Sequence, residues 1–279
     1  MNISIGFSPC PNDTFIFDAL IHKKINTHGI SYKPYIADVE KLNIKAASGV
    51  LDCTKISFHA FAHAFTHYSL LQSGGALGFG NGPVFISKKE NIHNISASSR
   101  IALPGKNTTA HLLFCIAYPE FRNKIFMLFS DIEAAILNNK VDAGVIIHEN
   151  RFTYKEKNLE CIKDLGLFWE EKTKSPIPLG AIAIKKNIPL TIAMQVQQDI
   201  KNSILYAFKH NSASTAFVKN NAQEMSDEII KKHIALFVND FSLSFGEEGK
   251  KAITKLFSLS AKAGICPNIP DSEIFIKPR

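Results

Sequence analysis

The chain has no cysteine framework to hold it together. Its five cysteines, Cys10, Cys53, Cys115, Cys161 and Cys266, stand singly, with an odd count and no C-x-x-C pair. That argues against a disulfide scaffold and for reduced thiols. No apolar run approaches the roughly 18 residues that a membrane-spanning helix needs. The N-terminus lacks a basic region, an apolar core and a small-residue cleavage site, so the chain reads as cytoplasmic. Internal repeats, blocks of like charge and low-complexity segments are also missing. No G-x-G-x-x-G, H-E-x-x-H, G-x-S-x-G or ordered Ser-His-Asp set occurs, and neither a nucleotide nor a metal cofactor is expected.

What the chain does have is size and apolar content. Its 279 residues are 46% hydrophobic and 20% charged, the composition of a globular protein large enough for two lobes. The formal charge of +7 suits an acidic small molecule. Lysines interleaved with acids, without a nucleic-acid motif, point away from DNA or RNA. A solvated basic surface accounts for most of this charge, and an acidic small molecule is the expected partner, with neither nucleic acid nor membrane.

One string stands out, Ser8-Pro9-Cys10-Pro11-Asn12-Asp13-Thr14-Phe15-Ile16-Phe17. It follows an alternating apolar run, Ile3, Ile5 and Phe7, which reads as a buried strand. The two prolines stop that strand, and Asn12 or Asp13 supplies the cap of a following helix. Strand, rigid loop and helix start together present backbone N–H groups to an anion. Asn12, Asp13 and Thr14 are thus candidate substrate-binding residues, with Asp13 favoured as a cap over a proton donor. Cys10 lies in the same loop and reads as a small buried hydrophobe.

The pattern repeats along the chain. A strand at 30–36, with Pro34 marking an edge, precedes a helix capped by Asp38 and ended by Gly49. A strand at 52–57 leads into a helix at 58–68 with Phe58, Phe61, Ala62 and Phe65 inward. Glycines at 74–82 interrupt, and a strand resumes at 84–87. A second unit has a strand at 100–103, a helix from Thr108, a helix near 131–139 and a strand at 141–147. Residues 165–169 read as another strand, followed by a crossing at 175–180 and a strand at 181–184. Three helices close the chain: the stripe Ile192, Val196, Ile200, Ile204 and Phe208, a helix capped by Ser226, and one at 247–262. This is an α/β chain with the layout of a two-lobed type II periplasmic-binding-protein-like fold, each lobe a mixed sheet flanked by helices. The expected first lobe is 1–88 plus 181–279, the second 89–180, with the ligand cleft between them at strand ends.

Two further strand ends then carry candidate chemistry. Lys55, Ile56 and Ser57 close one strand before a helix. Pro104-Gly105-Lys106-Asn107-Thr108-Thr109-Ala110 repeats the loop-to-helix logic, with Thr108, Thr109 and Ala110 offering hydroxyls and N–H groups. It is not a Walker loop, because Arg100 and Asn107 replace the required glycine and hydroxyl residue. His148 ends the buried run Val145-Ile146-Ile147 and falls at the cleft, where an imidazole of pKa about 6.5 suits a general base. His59, His63 and His67 share one helix face without a nearby carboxylate and read as a solvated face rather than a metal site.

These strings together resemble the 1,4-dihydroxy-6-naphthoate synthase family of the futalosine route to menaquinone. The resemblance rests on residues 6–17, Thr54-Lys55-Ile56-Ser57, Ser73-Gly74-Gly75-Ala76-Leu77-Gly78, Gly82-Pro83, Pro104-Gly105 with Thr108-Thr109-Ala110, and residues 144–149 with 151–154. Pro178-Leu179-Gly180-Ala181-Ile182 and Glu224-Met225-Ser226-Asp227-Glu228 extend it almost to the C-terminus. It implies a cytoplasmic lyase that converts cyclic dehypoxanthinyl futalosine to 1,4-dihydroxy-6-naphthoate and dihydroxyacetone without metal or organic cofactor. It also implies that His148 is the proton acceptor and that Lys55 to Ser57 and Thr109-Ala110 line the substrate site. The rivals are chorismate dehydratase, of the same pathway and fold, and a non-catalytic anion- or solute-binding protein.

Overall fold

In the computed structural model, which describes residues 1–210, 212–222 and 226–277, Ile3, Ile5 and Phe7 are fully buried on β1 (Asn2–Phe7). Glu224 and Met225 of the last resemblance string lie outside the described residues. Pro11 opens α1 (Pro11–Ile21), where a missing N–H costs nothing, and the N-cap is Cys10 rather than Asn12 or Asp13. Both expected caps therefore sit inside the first turn, with their side chains engaged elsewhere. β2 (Ser31–Ile36) pairs only with β1, the edge position that Pro34 required. Asp38 caps α2 (Val39–Ala47) by accepting the Glu40 and Lys41 N–H groups.

The fully buried β3 (Cys53–Ser57) runs directly into α3 (Phe58–Ala64). That helix stops short of the expected end, and Tyr68 instead opens β4 (Tyr68–Leu70). Within the glycine-rich stretch, β5 (Ala76–Gly78) is an additional strand. β6 (Val84–Lys88), β7 (Ile101–Leu103), α4 (Thr109–Ala117), β8 (Lys124–Phe126), α5 (Ile132–Leu137) and β9 (Ala143–Ile146) follow. Then come α6 (Asn150–Thr153), β10 (Leu159–Asp164), α7 (Leu165–Thr173) and β11 (Ile177–Lys185). The chain ends in α8 (Leu190–Lys209), α9 (Thr215–Asn221), α10 (Asp227–Phe237), α11 (Asp240–Leu243) and α12 (Gly246–Lys262).

Two mixed sheets result. The first has the order β2-β1-β3-β11-β4, with β5 also on β11; the second is β10-β6-β9-β7-β8. β1, β2 and β3 are parallel, and so are β7, β8 and β9. Each parallel set therefore delivers its C-terminal ends to one edge of its sheet.

Three segments differ from expectation. Val84–Lys88 belongs to the second sheet, antiparallel to β9 and β10, and Ile177–Gly180 already belongs to the first through β3 and β5. The crossings thus lie at 79–83 and 174–176, not after 88 and 180. Of the glycines that looked like an interruption within one lobe, Gly80 and Gly82 lie in the crossing itself. Residues 165–169 are helical: the Asp164 carboxylate accepts the Gly166 and Leu167 N–H groups at 2.8 and 3.0 Å. A five-residue apolar run does not distinguish strand from helix, and the cap decides.

The long stripe on α8 packs Val196, Ile200 and Ile204 against α1 and the first sheet. Ser203, buried in that face, donates to Ile16 C=O at 2.6 Å and accepts the Leu20 N–H, pinning α8 to α1. Phe7 stacks on Phe17 at 4.6 Å. Another apolar cluster, with Phe58, Phe61, Phe85, Phe114 and Trp169, continues from one sheet to the other. The lobes are therefore packed together on one side and part only at the cleft.

At the crossing, Gly82 meets Gly166 at the start of α7. A Cβ on Gly82 would lie 2.2 Å from Gly166 Cα and 2.5 Å from its N, both backbone atoms. The Gly82 carbonyl also accepts from Arg151. Gly82→Ala should destabilise by at least about 1–3 kcal/mol, the usual penalty for overpacking, because backbone must move. A denaturant midpoint equal to that of the wild type would refute this.

Candidate active site

The C-terminal ends of β1, β3 and β7 each feed a helix whose start faces the gap between the sheets, a cleft of about 700 Å³. Asn12, Asp13, Lys55, Ile56, Ser57, Thr108, Thr109, Ala110 and His148 all line it. Thr14 does not. It is fully buried in α1, and its hydroxyl donates back to Cys10 C=O at 3.0 Å. One turn inside a helix, its side chain points away from the loop that the cleft sees.

Asp13 does not cap its helix; it anchors a buried network. One carboxylate oxygen accepts the Ser8 N–H (3.1 Å) and hydroxyl (2.7 Å), and the other accepts the Asn12 amide (2.9 Å). Lys55 pairs with Asp13 at 2.9 Å and donates to Gly74 C=O at 3.2 Å. The side chains of Lys55 and Asp13 are only 7% and 2% exposed. Their charges cancel within the cleft wall, so the electrostatic pull on an anion falls to the helix starts.

Ser57 is held by Asn43, whose carbonyl oxygen accepts the Ser57 N–H at 2.9 Å and whose amide donates to Ser57 Oγ at 3.1 Å. This leaves the hydroxyl proton for a ligand. Thr108 caps α4, donating to Gly105 C=O and accepting the His111 N–H. Thr109 donates to Leu179 C=O at 2.6 Å and accepts the Phe58 N–H at 2.9 Å. Neither threonine hydroxyl is therefore free, unlike the expectation from sequence. Among the described residues no protein acceptor takes the N–H groups of Thr109 and Ala110, and these are what α4 offers an anion. Across the gap, the Glu40 carboxylate accepts the backbone and side-chain N–H groups of Asn107, linking α2 to the loop before α4.

His148 lies two residues beyond β9, in a turn with φ of +60°. Left-handed backbone at a non-glycine residue costs about 1–3 kcal/mol and persists where the surroundings impose it. The ring sits edge-on to Phe129 at 4.9 Å and stacks on His233 at 6.1 Å. Burial pushes its pKa below the usual value, opposed by the nearby Glu149 and Asp13 carboxylates and reinforced by Lys55. The imidazole is thus neutral at pH 7 and able to take a proton.

Sequence reasoning missed two side chains here. Asn81 is 2% exposed, lines the cleft, and has no hydrogen-bond partner for either amide atom. It lies in the glycine-rich stretch, where only the glycines drew attention. His233 is a buried residue of α10, and nothing in the sequence pairs it with His148. It is fully buried, both ring nitrogens are unpartnered, and burial holds its pKa well below the usual value. Cys10 behaves as expected: it is buried, and burial pushes the thiol pKa up, away from a nucleophilic thiolate. The histidine face on α3 is corrected in part. His63 and His67 are exposed, whereas His59 is buried, and burial with its neighbouring imidazoles pushes its pKa to about 4.

A family model described as menaquinone biosynthesis matches residues 3–262. Relatives named 1,4-dihydroxy-6-naphthoate synthase are 38% identical in Thermus thermophilus, covering 96% of this chain and 97% of the relative, and 35% identical in Streptomyces coelicolor, covering 98% of each. Protein AF1704 from Archaeoglobus fulgidus superposes with a TM-score of 0.89 at 32% identity, covering 95% of this chain and 98% of that one. The alkanesulfonate-binding protein SsuA from Xanthomonas axonopodis pv. citri superposes at 0.73 with 11% identity, covering 99% and 96%. That last likeness is one of fold alone and identifies the periplasmic-binding-protein-like architecture.

Proposed function

Because the chain belongs to the menaquinone-biosynthesis family of 1,4-dihydroxy-6-naphthoate synthases, we propose that it is a carbon–carbon lyase acting on cyclic dehypoxanthinyl futalosine. The products are 1,4-dihydroxy-6-naphthoate and dihydroxyacetone, and His148 is the general base. The single observation that carries the assignment of the base is the placement of the His148 ring, held in a left-handed turn at the wall of a cleft lined by helix starts; burial, which lowers its pKa, supports it.

The substrate carboxylate is met by the free N–H groups of Thr109 and Ala110 and by the Ser57 hydroxyl. His148 abstracts a proton, carbon–carbon cleavage follows, and formation of the aromatic naphthalene ring draws the reaction forward. Oxyanion charge that develops is stabilised by N–H groups already aimed into the cleft. The Asn81 amide, with no protein partner, is a further donor and acceptor for substrate hydroxyls. No helix among the described residues is long and apolar enough to cross a membrane, and we place the reaction in the cytoplasm.

Purified protein incubated with cyclic dehypoxanthinyl futalosine should release 1,4-dihydroxy-6-naphthoate, detectable by liquid chromatography and mass spectrometry. Loss of the enolpyruvyl group from chorismate instead would reassign it as a dehydratase. Saturable binding without turnover of either compound would make it a binding protein.

A further inference from the structure

A second cluster of chemistry-bearing side chains lies outside the cleft. His59 and His63 stand one turn apart on α3, and the segment after α12 brings Cys266 to them. One possible ligand atom from each residue lies within 4.8 Å of the other two. Ligand atoms around a tetrahedral zinc ion are about 3.4–3.8 Å apart, from bond lengths of about 2.0–2.3 Å. Closing the cluster onto one cation therefore takes shifts of about 1 Å, within reach of side-chain rotation.

An independent observation makes this more than a coincidence of histidines. His59 is 6% exposed, and its Nδ1 has no hydrogen-bond partner. Its ring lies 5.5 Å from the His63 ring, tilted to it by 54°, so the orphaned group belongs to a histidine already beside a second donor. An isolated buried nitrogen of this kind is expensive to keep, and a cation would satisfy it. Cys266 is also buried, at 8% exposure, whereas His63 is exposed. The cluster is thus buried at two of its members and open at the third, the side from which an ion would enter and a water would complete four-coordination.

The donor set selects the ion. Two imidazoles and a thiolate suit a borderline-soft cation, and the absence of an oxygen donor disfavours magnesium and calcium. We propose that His59, His63 and Cys266 form a zinc(II) site that ties α3 to the segment following α12. The site is structural. α3 begins at Phe58, directly after Ser57 of the cleft wall, so a cation on its His59–His63 face clamps the helix that carries that wall. Binding deprotonates Cys266 and releases its proton to solvent; no electron is transferred.

The test uses the full chain, stripped with a chelator under reducing conditions and titrated with zinc against a chromophoric competitor, then with cobalt(II). One equivalent should bind. The cobalt form should show a thiolate-to-metal charge-transfer band and the visible intensity of a tetrahedral ion. Cys266→Ser should abolish the charge-transfer band. His63→Ala, at an exposed position that does not threaten folding, should weaken zinc binding at least about tenfold and remove the zinc-dependent rise in Tm. No binding, an octahedral cobalt spectrum, or unchanged affinity in both variants would overturn the proposal. None of these readouts depends on catalysis, so the outcome is separate from that of the lyase assignment.

Discussion

His148→Asn should lower kcat by about 10²–10⁴-fold, the contribution of a positioned general base, while product affinity changes only a few-fold. Asparagine is the right probe because residue 148 sits at φ +60°, a conformation that asparagine tolerates and alanine does not. His148→Ala should lose the same activity and fold less stably than His148→Asn, because asparagine, unlike alanine, is enriched in left-handed backbone. Comparing the two separates chemistry from strain. Near-wild-type kcat in His148→Asn would remove the residue from the reaction.

The pH profile carries the same signature. Burial lowers the His148 pKa below its ordinary value, so the basic form persists into mildly acidic solution. The acid limb of kcat/KM should therefore fall at a pH below about 6.5, and no such limb should appear in the residual rate of His148→Asn. Stability follows the same sign. A histidine with depressed folded pKa contributes fully above its unfolded pKa of about 6.5, and that contribution is lost as pH falls. His233, held further down by burial, adds to the loss. Wild-type stability should thus decline below about pH 6.5, and less steeply in His148→Asn.

How much of this was visible in the sequence depends on the kind of interaction. Strand ends followed by prolines, glycines or hydroxyl residues leave a local signature, and the three helix starts at the cleft were read from it. The Ser226 cap and the Val196-Ile200-Ile204 stripe are equally local, and they appear where expected. Sheet membership is not local. Val84–Lys88 has the same apolar character whichever sheet it joins, and only its pairing with β9 and β10 decides. The roles of individual side chains were also hidden. Thr109 looked like a ligand hydroxyl because nothing in the sequence shows that Phe58 N–H and Leu179 C=O use both of its hydrogen-bonding capacities. Asp13 looked like a cap because its partner, Lys55, lies 42 residues away on β3.

That pair supports the second large effect. Asp13→Asn should destabilise the protein by about 3–5 kcal/mol, the range for breaking a buried ion pair by removing one partner. Lys55 would be left in the cleft wall without its counter-charge, still donating to the Gly74 carbonyl. Lys55→Met should cost less, because Asp13 keeps the Ser8 N–H, the Ser8 hydroxyl and the Asn12 amide. The double variant should then be more stable than Asp13→Asn alone, since no unpaired charge remains. Substrate binding should move the opposite way from stability. An unpaired Lys55 adds positive charge to the cleft that the free N–H groups of α4 also line, so Asp13→Asn should lower KM for an anionic substrate even as its denaturant midpoint falls. A double-mutant cycle of midpoints, with KM measured on each variant, tests both halves. Additive stability losses would mean that the two groups act independently. A raised KM in Asp13→Asn would mean that the carboxylate shapes the site for the substrate instead of silencing the lysine beside it.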